Sequence, residues 1–302
     1  MTTTALPTEA DVIAAARRIR PYVRRTPVLD VVVDGQPVVL KLEHLQLTGS
    51  FKPRGALNAL LQGPRPDLVV TASGGNHGLA VGTAAALLGL PAVVYVPETV
   101  PEGKARRIEA TGARLIRVGT RYADAAAAAQ AAATGPGTRY LPAYDEAAVI
   151  AGQGTVAAEI VADRPDVDML VVAVGGGGLA GGATIGGGGR PVLAVEPAGC
   201  CCLHDALAAG EPVDTAVSSV ASSALGATRI GALPFELLRG SRSALVGDAE
   251  ILAARDRLWE EFRLAVEPAA AVPFAALLSG QVPGAYPCLV VCGANTDWTP
   301  PD

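Results

Sequence analysis

The chain contains 302 residues, of which 50% are hydrophobic and 18% are charged, and its net charge is −5. This length is sufficient for one large globular domain or two smaller ones. Lysine and arginine form no basic cluster, which argues against a nucleic-acid partner because phosphate contacts need clustered cations. No apolar run is long enough to span a bilayer, so we expect no membrane association.

Helices and strands alternate along the first half of the chain. Thr8 is a suitable N-cap for the first helix, and Pro53 suits the first turn of the second. The predicted helices span residues 8–22, 53–61, 76–88, 102–110 and 122–133, and the predicted strands span residues 37–42, 67–72, 92–96 and 115–118.

The second half continues the alternation. Its predicted helices span residues 145–162, 179–185, 250–264 and 269–278, and its predicted strands span residues 169–174, 192–195 and 288–291. Residues 218–238 are interpreted as a loop with a short helix. The strands are continuous apolar runs, which is typical of parallel strands buried on both faces. We therefore expect an α/β fold with mostly parallel, open twisted sheets flanked by helices.

The five cysteines bear on the cellular compartment. Three of them, Cys200–Cys202, are consecutive, and the others are Cys288 and Cys292. An odd number with this spacing does not suit a disulfide framework. We therefore expect a cytoplasmic protein.

Lysine is rare in this chain, and its only lysines are Lys41, Lys52 and Lys104. Lys52 lies at the start of a predicted helix, where the helix dipole lowers the pKa of its amine. A neutral amine can form a Schiff base with a carbonyl compound. The alternative interpretation is an ordinary solvated lysine.

Three turns follow predicted strands, where ligands bind in open α/β sheets. The turn Ser73–Gly78 opens a helix, whose free N–H groups suit a carboxylate. The glycine turn Gly175–Leu179 can form a nest for a phosphate. In the third turn, Cys292–Asn295, the thiol is either a ligand contact or a small buried side chain.

The second turn also permits a different function. Gly176, Gly178 and Gly181 form a GxGxxG pattern, and Glu196 follows 20 residues after Gly176. This spacing matches a dinucleotide-binding fingerprint, so an NAD(P)-dependent oxidoreductase is an alternative. That alternative leaves Lys52 without a role.

The segment Lys41–Ala56, together with the three turns and the pairs Glu196-Pro197 and Glu267-Pro268, resembles the serine/threonine dehydratase and serine racemase family. These are fold type II pyridoxal-phosphate enzymes, similar in fold to tryptophan synthase β. The resemblance covers nearly the whole chain. It implies a large domain of residues 1–66 and 143–302, a small mobile domain of residues 67–142, and a homodimer.

The resemblance also implies roles for individual residues. Lys52 would hold pyridoxal 5′-phosphate as a Schiff base and act as the catalytic base, while Phe51 would pack beside the ring, Asn76 would bind its hydroxyl and Cys292 would face its nitrogen. Phosphate binding is expected from Gly175, Gly176, Gly177, Gly178 and Leu179. Binding of the substrate carboxylate is expected from Ser73, Gly74, Gly75, Asn76 and His77.

A thiol at position 292 favours elimination, because it does not stabilise a protonated ring nitrogen and so weakens the electron sink. The resemblance thus implies an ammonia-lyase that dehydrates L-threonine, L-serine or a related β-hydroxy amino acid to a 2-oxo acid and ammonia. Gly74 stands where the racemases have a catalytic serine, so we expect weak racemisation. Cys202 stands where relatives have a metal-binding Asp after Glu196, so we expect no metal site.

Several alternatives stay open at this point. They are an amino-acid racemase, a cysteine-synthase-like β-replacement enzyme, the NAD(P) oxidoreductase, and a cofactor-binding protein without turnover. The chain ends ten residues after Cys292. We therefore expect no C-terminal regulatory domain.

Overall fold

A computed structural model describes residues 5–299, which form an α/β fold with two separate sheets. The outer limits of the predicted large domain, residues 1–4 and 300–302, lie outside the described residues. Between residues 5 and 299, no helix is both long and apolar enough to cross a membrane.

The larger sheet has six strands: β1 (Val28–Val33), β2 (Gln36–Lys41), β7 (Met169–Ala173), β8 (Val192–Pro197), β9 (Arg242–Val246) and β10 (Pro287–Val290). Their order is β1-β2-β10-β7-β8-β9. Only the β1–β2 pair is antiparallel. Every residue of β7 is buried, which explains its continuous apolar sequence.

The helices in this part of the chain pack against the larger sheet or against one another. They are α1 (Glu9–Ile19), α2 (Lys52–Leu60), α6 (Ala147–Asp163), α7 (Gly178–Gly186), α8 (Cys202–Ala209), α9 (Ser222–Leu225), α10 (Ala232–Leu238), α11 (Asp248–Phe262) and α12 (Pro268–Leu278).

The smaller sheet has four parallel strands: β3 (Leu68–Ala72), β4 (Ala92–Val96), β5 (Arg114–Arg117) and β6 (Thr138–Tyr140). Their order is β5-β4-β3-β6, and the helices between them are α3 (Asn76–Leu87), α4 (Glu102–Glu109) and α5 (Tyr122–Ala132). The division into a large and a mobile small domain stays a prediction.

The predicted elements agree with the structure to within a few residues at their ends, but β1, β6, β9 and α8 were not predicted, and residues 218–238 contain two helices, α9 and α10. The clearest omission is the hairpin of β1 and β2. Asp34 and Gly35 form its turn, with φ angles of 49° and 86°. Asp-Gly between two apolar segments is a strong hairpin signal, so the sequence did contain this information.

The topology places the three turns around one space. Because β7 and β10 are parallel neighbours, the turns that follow them emerge at the same edge of the larger sheet. The turn after β3 comes from the smaller sheet and contributes to the same cavity.

Candidate active site

Loops from both sheets surround a cavity of about 700 Å³. All of the site residues predicted from the sequence line it: Phe51, Lys52, Ser73, Gly74, Gly75, Asn76, His77, Gly175, Gly176, Gly177, Gly178, Leu179 and Cys292. This volume is typical of a small-molecule site. Its lining includes the amines of Lys52 and Lys104, the N-termini of α3 and α7, and the thiol of Cys292.

Lys52 is the first residue of α2 and faces this cavity. Its Nζ donates a hydrogen bond to the carbonyl oxygen of Ala143 at 2.9 Å and lies 5.2 Å from the ring centroid of Phe51. Burial lowers the pKa of Lys52 from its ordinary value to about 8, although the carboxylate of Glu267 opposes the shift. A substantial fraction of this amine is therefore neutral near pH 8, as a nucleophile or base requires.

A buried ion cluster anchors the helix that carries Lys52. The guanidinium of Arg54 contacts Glu43 and Glu159, each at 2.8 Å, and Lys41 contacts Glu159 at 2.7 Å. The side chains of Arg54, Glu43 and Lys41 are fully buried. Two cations thus balance two carboxylates directly beneath the first turn of α2.

The glycine turn after β7 leads into α7. Gly177 has a φ of 89°, which favours glycine, and a Cβ on Gly176 would lie 2.2 Å from Cδ1 of Tyr144. The turn thus has no room for side chains, and the free N–H groups at the start of α7 add to its suitability for an anion. The thiol of Cys202 donates to the carbonyl oxygen of Gly175 at 3.2 Å and supports the turn from behind.

The turn after β3 opens α3 at Asn76. The N–H of Gly75 donates to Oγ of Ser73 at 3.2 Å. Burial lowers the pKa of His77 to about 3, so its ring is neutral. Its Nε2 lies 3.1 Å from the carbonyl oxygen of Leu141, which requires the proton on Nε2. The His77 ring therefore ties the turn to the segment after β6.

Cys292 lies two residues after the end of β10 and is 4% exposed. Burial raises the pKa of its thiol far above the ordinary value, and the carboxylate of Glu267 adds to the shift. Cys292 is therefore a neutral thiol that presents a weak donor and acceptor to the cavity.

Sequence reasoning missed the structural role of Glu267. This residue precedes α12, is 3% exposed, and accepts a hydrogen bond from Nδ2 of Asn76 at 2.7 Å. Burial raises the pKa of Glu267 to about 7, against the opposing effect of Asn76 and nearby cations. The pair Glu267-Pro268 was noticed as a motif, and Pro at a helix start was the signal that Glu267 lies at a helix N-terminus.

Glu196 has a structural role outside the cavity lining. Its two carboxylate oxygens accept the N–H groups of Leu203 and His204 in the first turn of α8, each at 2.8 Å. A carboxylate held in this way does not face a ribose, which removes the main support for a dinucleotide site. In the described part of the chain, no three His, Cys, Asp or Glu residues cluster as metal ligands.

Comparison with known proteins agrees with this arrangement. The profile of the pyridoxal-phosphate dependent enzyme family matches residues 19–293. The chain belongs to this family. The cofactor is therefore pyridoxal phosphate, and the predicted resemblance is confirmed.

Individual relatives have two different names. The chain is 37% identical over 296 residues to an L-threonine ammonia-lyase of Geobacter sulfurreducens, covering 93% of this chain and 73% of the relative. It is 36% identical over 318 residues to the serine racemase of Rattus norvegicus, covering 96% and 93%. Among solved structures, a T.th. threonine deaminase superimposes with a TM-score of 0.91 at 32% identity, covering 97% of this chain and 100% of that one. The predicted fold type II is confirmed.

The chemical groups that line the cavity suit pyridoxal phosphate. The cofactor needs an amine for its aldehyde and an anion site for its phosphate. Lys52, the first residue of α2, lines the same cavity as the glycine turn, and a Cβ would fill the cradle of that turn. Each chemical requirement of the cofactor thus has a matching group in one cavity.

Proposed function

We propose that this protein is an ammonia-lyase that converts L-threonine, L-serine or a related β-hydroxy amino acid into a 2-oxo acid and ammonia. The observation that carries the proposal is the position of Lys52. Its amine, with a pKa near 8, lies in one cavity between the phosphate-binding glycine turn and the N-terminus of α3. These groups suit a cofactor on one side and an amino-acid carboxylate on the other.

Within this proposal, the cofactor is held by four groups. The amine of Lys52 would bind its aldehyde, the N–H groups of Gly175–Leu179 would bind its phosphate, Phe51 would pack beside the ring, and Cys292 would face the ring nitrogen. The bound cofactor supplies an electron sink for the pair left at Cα when the α-proton is removed. The neutral thiol of Cys292 does not hold a proton on the ring, which favours early loss of the β-hydroxyl.

The substrate contacts come from the turn before α3. Its N–H groups and the side chain of Ser73 bind the substrate carboxylate, which the positive end of the helix dipole also favours. The freed amine of Lys52 takes the α-proton, and its lowered pKa suits a base near neutral pH. His77 is neutral and engaged with Leu141, so it orients the turn without adding charge.

Racemisation is the second candidate, because some relatives have that name. A racemase needs an acid on the face opposite the base, and Gly74 has no side chain there. A Cβ at this position would lie 2.7 Å from Cγ2 of Val100. The space is thus filled by an apolar group, which supports elimination over racemisation.

The test is release of 2-oxo acid and ammonia from a panel of L- and D-β-hydroxy amino acids by the protein loaded with pyridoxal phosphate. Chiral analysis of unreacted serine measures racemisation, and O-acetylserine with sulfide measures β-replacement. Lys52→Ala should lower turnover by about 10³-fold, and Lys52→Arg should not rescue it, because a guanidinium does not act as a base. Full activity in Lys52→Ala would contradict the proposal.

The proposal includes three further predictions. The protein is expected to act in the cytoplasm, to form a homodimer, and to close residues 67–142 over the bound substrate. Size measurement in solution tests the homodimer.

A further inference from the structure

Glu267 is a buried carboxylate at the cavity without an assigned role in the reaction. Its Oε1 accepts from Nδ2 of Asn76 at 2.7 Å, and these two residues are 191 positions apart. Asn76 is the first residue of α3, the helix whose N-terminus receives the substrate carboxylate in the proposed function. The orientation of Asn76 therefore depends on a carboxylate at the start of α12, a helix that packs against the larger sheet.

The hydrogen bonds continue beyond this pair. Oδ1 of Asn76 accepts from Nδ2 of Asn295 at 2.7 Å, and Oδ1 of Asn295 accepts from Nη1 of Arg107 at 3.3 Å. Asn76 and Arg107 belong to the segment of the smaller sheet, whereas Glu267 and Asn295 follow α11 and β10. We call these four residues the polar chain. It joins the two parts of the molecule at three successive contacts.

Two glycines leave room for the acceptors of the polar chain. A Cβ on Gly293 would lie 2.0 Å from Oε1 of Glu267, and a Cβ on Gly49 would lie 3.2 Å from Oδ1 of Asn295. Gly49 also has a φ of 72°. Gly49 lies three residues before Lys52, so Asn295 of the polar chain contacts the backbone segment that leads into the lysine.

The charged side chains around Glu267 are positive, opposite to the charge of its carboxylate. Lys104 and Arg107 of α4 and Lys52 of α2 face it as cations, and Cys292 faces it as a neutral thiol. Ionised Glu267 therefore attracts α4 towards the larger sheet and orders Asn76. Protonated Glu267 loses the attraction to these cations, and burial raises its pKa to about 7.

We infer that Glu267 is a positioning residue that orients Asn76 and couples the approach of α4 to formation of the carboxylate-binding turn. This inference deepens the proposed lyase function and rests on it for the identity of the substrate. It predicts that loss of the negative charge weakens substrate binding more than it slows turnover.

The kinetic test compares Glu267→Gln with Glu267→Ala in the full chain loaded with pyridoxal phosphate. The Gln variant keeps an acceptor for Asn76 but has no charge, so KM for L-threonine should rise about tenfold with a smaller change in kcat. The Ala variant has neither the acceptor nor the charge, so its KM should rise and its kcat should fall. Lys52 makes kcat/KM fall below about pH 8 in both proteins, and below about pH 7 the fall should be steeper in the unaltered protein than in Glu267→Gln. Glu146→Gln is the control, because burial also raises the pKa of Glu146 but this residue does not line the cavity.

The second test does not need activity. Amide hydrogen exchange of residues 75–79 and 102–109, corrected for intrinsic rates, should slow between pH 6 and pH 8 in the unaltered protein and in Glu146→Gln. Glu267→Gln should abolish this pH dependence. Unchanged KM together with unchanged exchange in Glu267→Gln would overturn the inference. An inactive unaltered protein would instead contradict the lyase proposal, and the exchange data would still report on Glu267.

Discussion

The ring of Tyr144 occupies the space that a side chain at position 176 would need, since a Cβ on Gly176 would lie 2.2 Å from its Cδ1. The same residue closes on Gly178, where a Cβ would lie 3.0 Å from Cβ of Tyr144. The shape of the glycine turn is therefore set from outside by an aromatic residue on the segment before α6. The backbone of the glycine turn is free to approach a phosphate from the side opposite Tyr144.

Gly176→Ala should weaken cofactor binding, because the new methyl group must displace either Tyr144 or the turn. We expect about a tenfold or larger rise in the Kd for pyridoxal phosphate, in line with a steric cost of about 1–3 kcal/mol. Titration of the cofactor-free protein with pyridoxal phosphate, followed by absorbance, measures this Kd. Gly240→Ala is the control, since no atom lies within 4 Å of a Cβ there. Equal affinities in both variants would contradict the prediction.

Gly74→Ser should lower lyase activity, because its Cβ would lie 2.7 Å from Cγ2 of Val100. Adding Val100→Ala removes that contact and should restore activity to the level of Val100→Ala alone. We expect D-serine from L-serine only in the double variant, where a hydroxyl reaches the face opposite Lys52. Chiral chromatography measures it. Racemisation by the unaltered protein would show that another group acts on that face.

Cofactor incorporation should depend on pH through Lys52. Burial lowers the pKa of this amine to about 8, so its neutral fraction grows about tenfold per pH unit below pH 8 and levels off above it. The rate at which protein freed of cofactor regains its absorbance band should follow that curve. A free lysine derivative, measured in parallel, should continue to gain rate towards pH 10. If the rates for the protein and for the free lysine derivative level off at the same pH, the lowered pKa of Lys52 is contradicted.

Arg54→Met should destabilise the protein strongly, because it leaves the buried carboxylates of Glu43 and Glu159 without their shared cation. We expect the free energy of unfolding to fall by about 3–5 kcal/mol in urea titration. Arg54→Lys should lose less, since it keeps the charge but not the two-sided fork. Arg106→Met, at an exposed ion pair with Glu102, should change it by less than about 1 kcal/mol. If Arg54→Met and Arg106→Met lower the free energy of unfolding by similar amounts, burial does not make the Arg54 ion pairs more important than an exposed pair.

Much of the fold was predictable because its signals are local. The buried parallel strands, such as β7, appear as continuous apolar runs, and the Pro-initiated helix α2 was predicted to within one residue at each end. Elements with weak local signals were missed. Strand β9 begins with the exposed Arg242 and then alternates between half-buried and buried residues, and β6 has three residues of intermediate exposure. Only pairing with neighbouring strands makes such segments into strands.

By itself, the sequence determined the helix start at Lys52 and the three turns, since a helix start after Phe51 and a run of glycines depend on residues adjacent in the chain. Tertiary structure alone decided what surrounds them: the contact of Glu267 with Asn76, and the tie between His77 and Leu141. These contacts join residues far apart in sequence. Backbone preference is a property of neighbouring residues, whereas burial, pKa and side-chain partners are set by what the folded chain packs together.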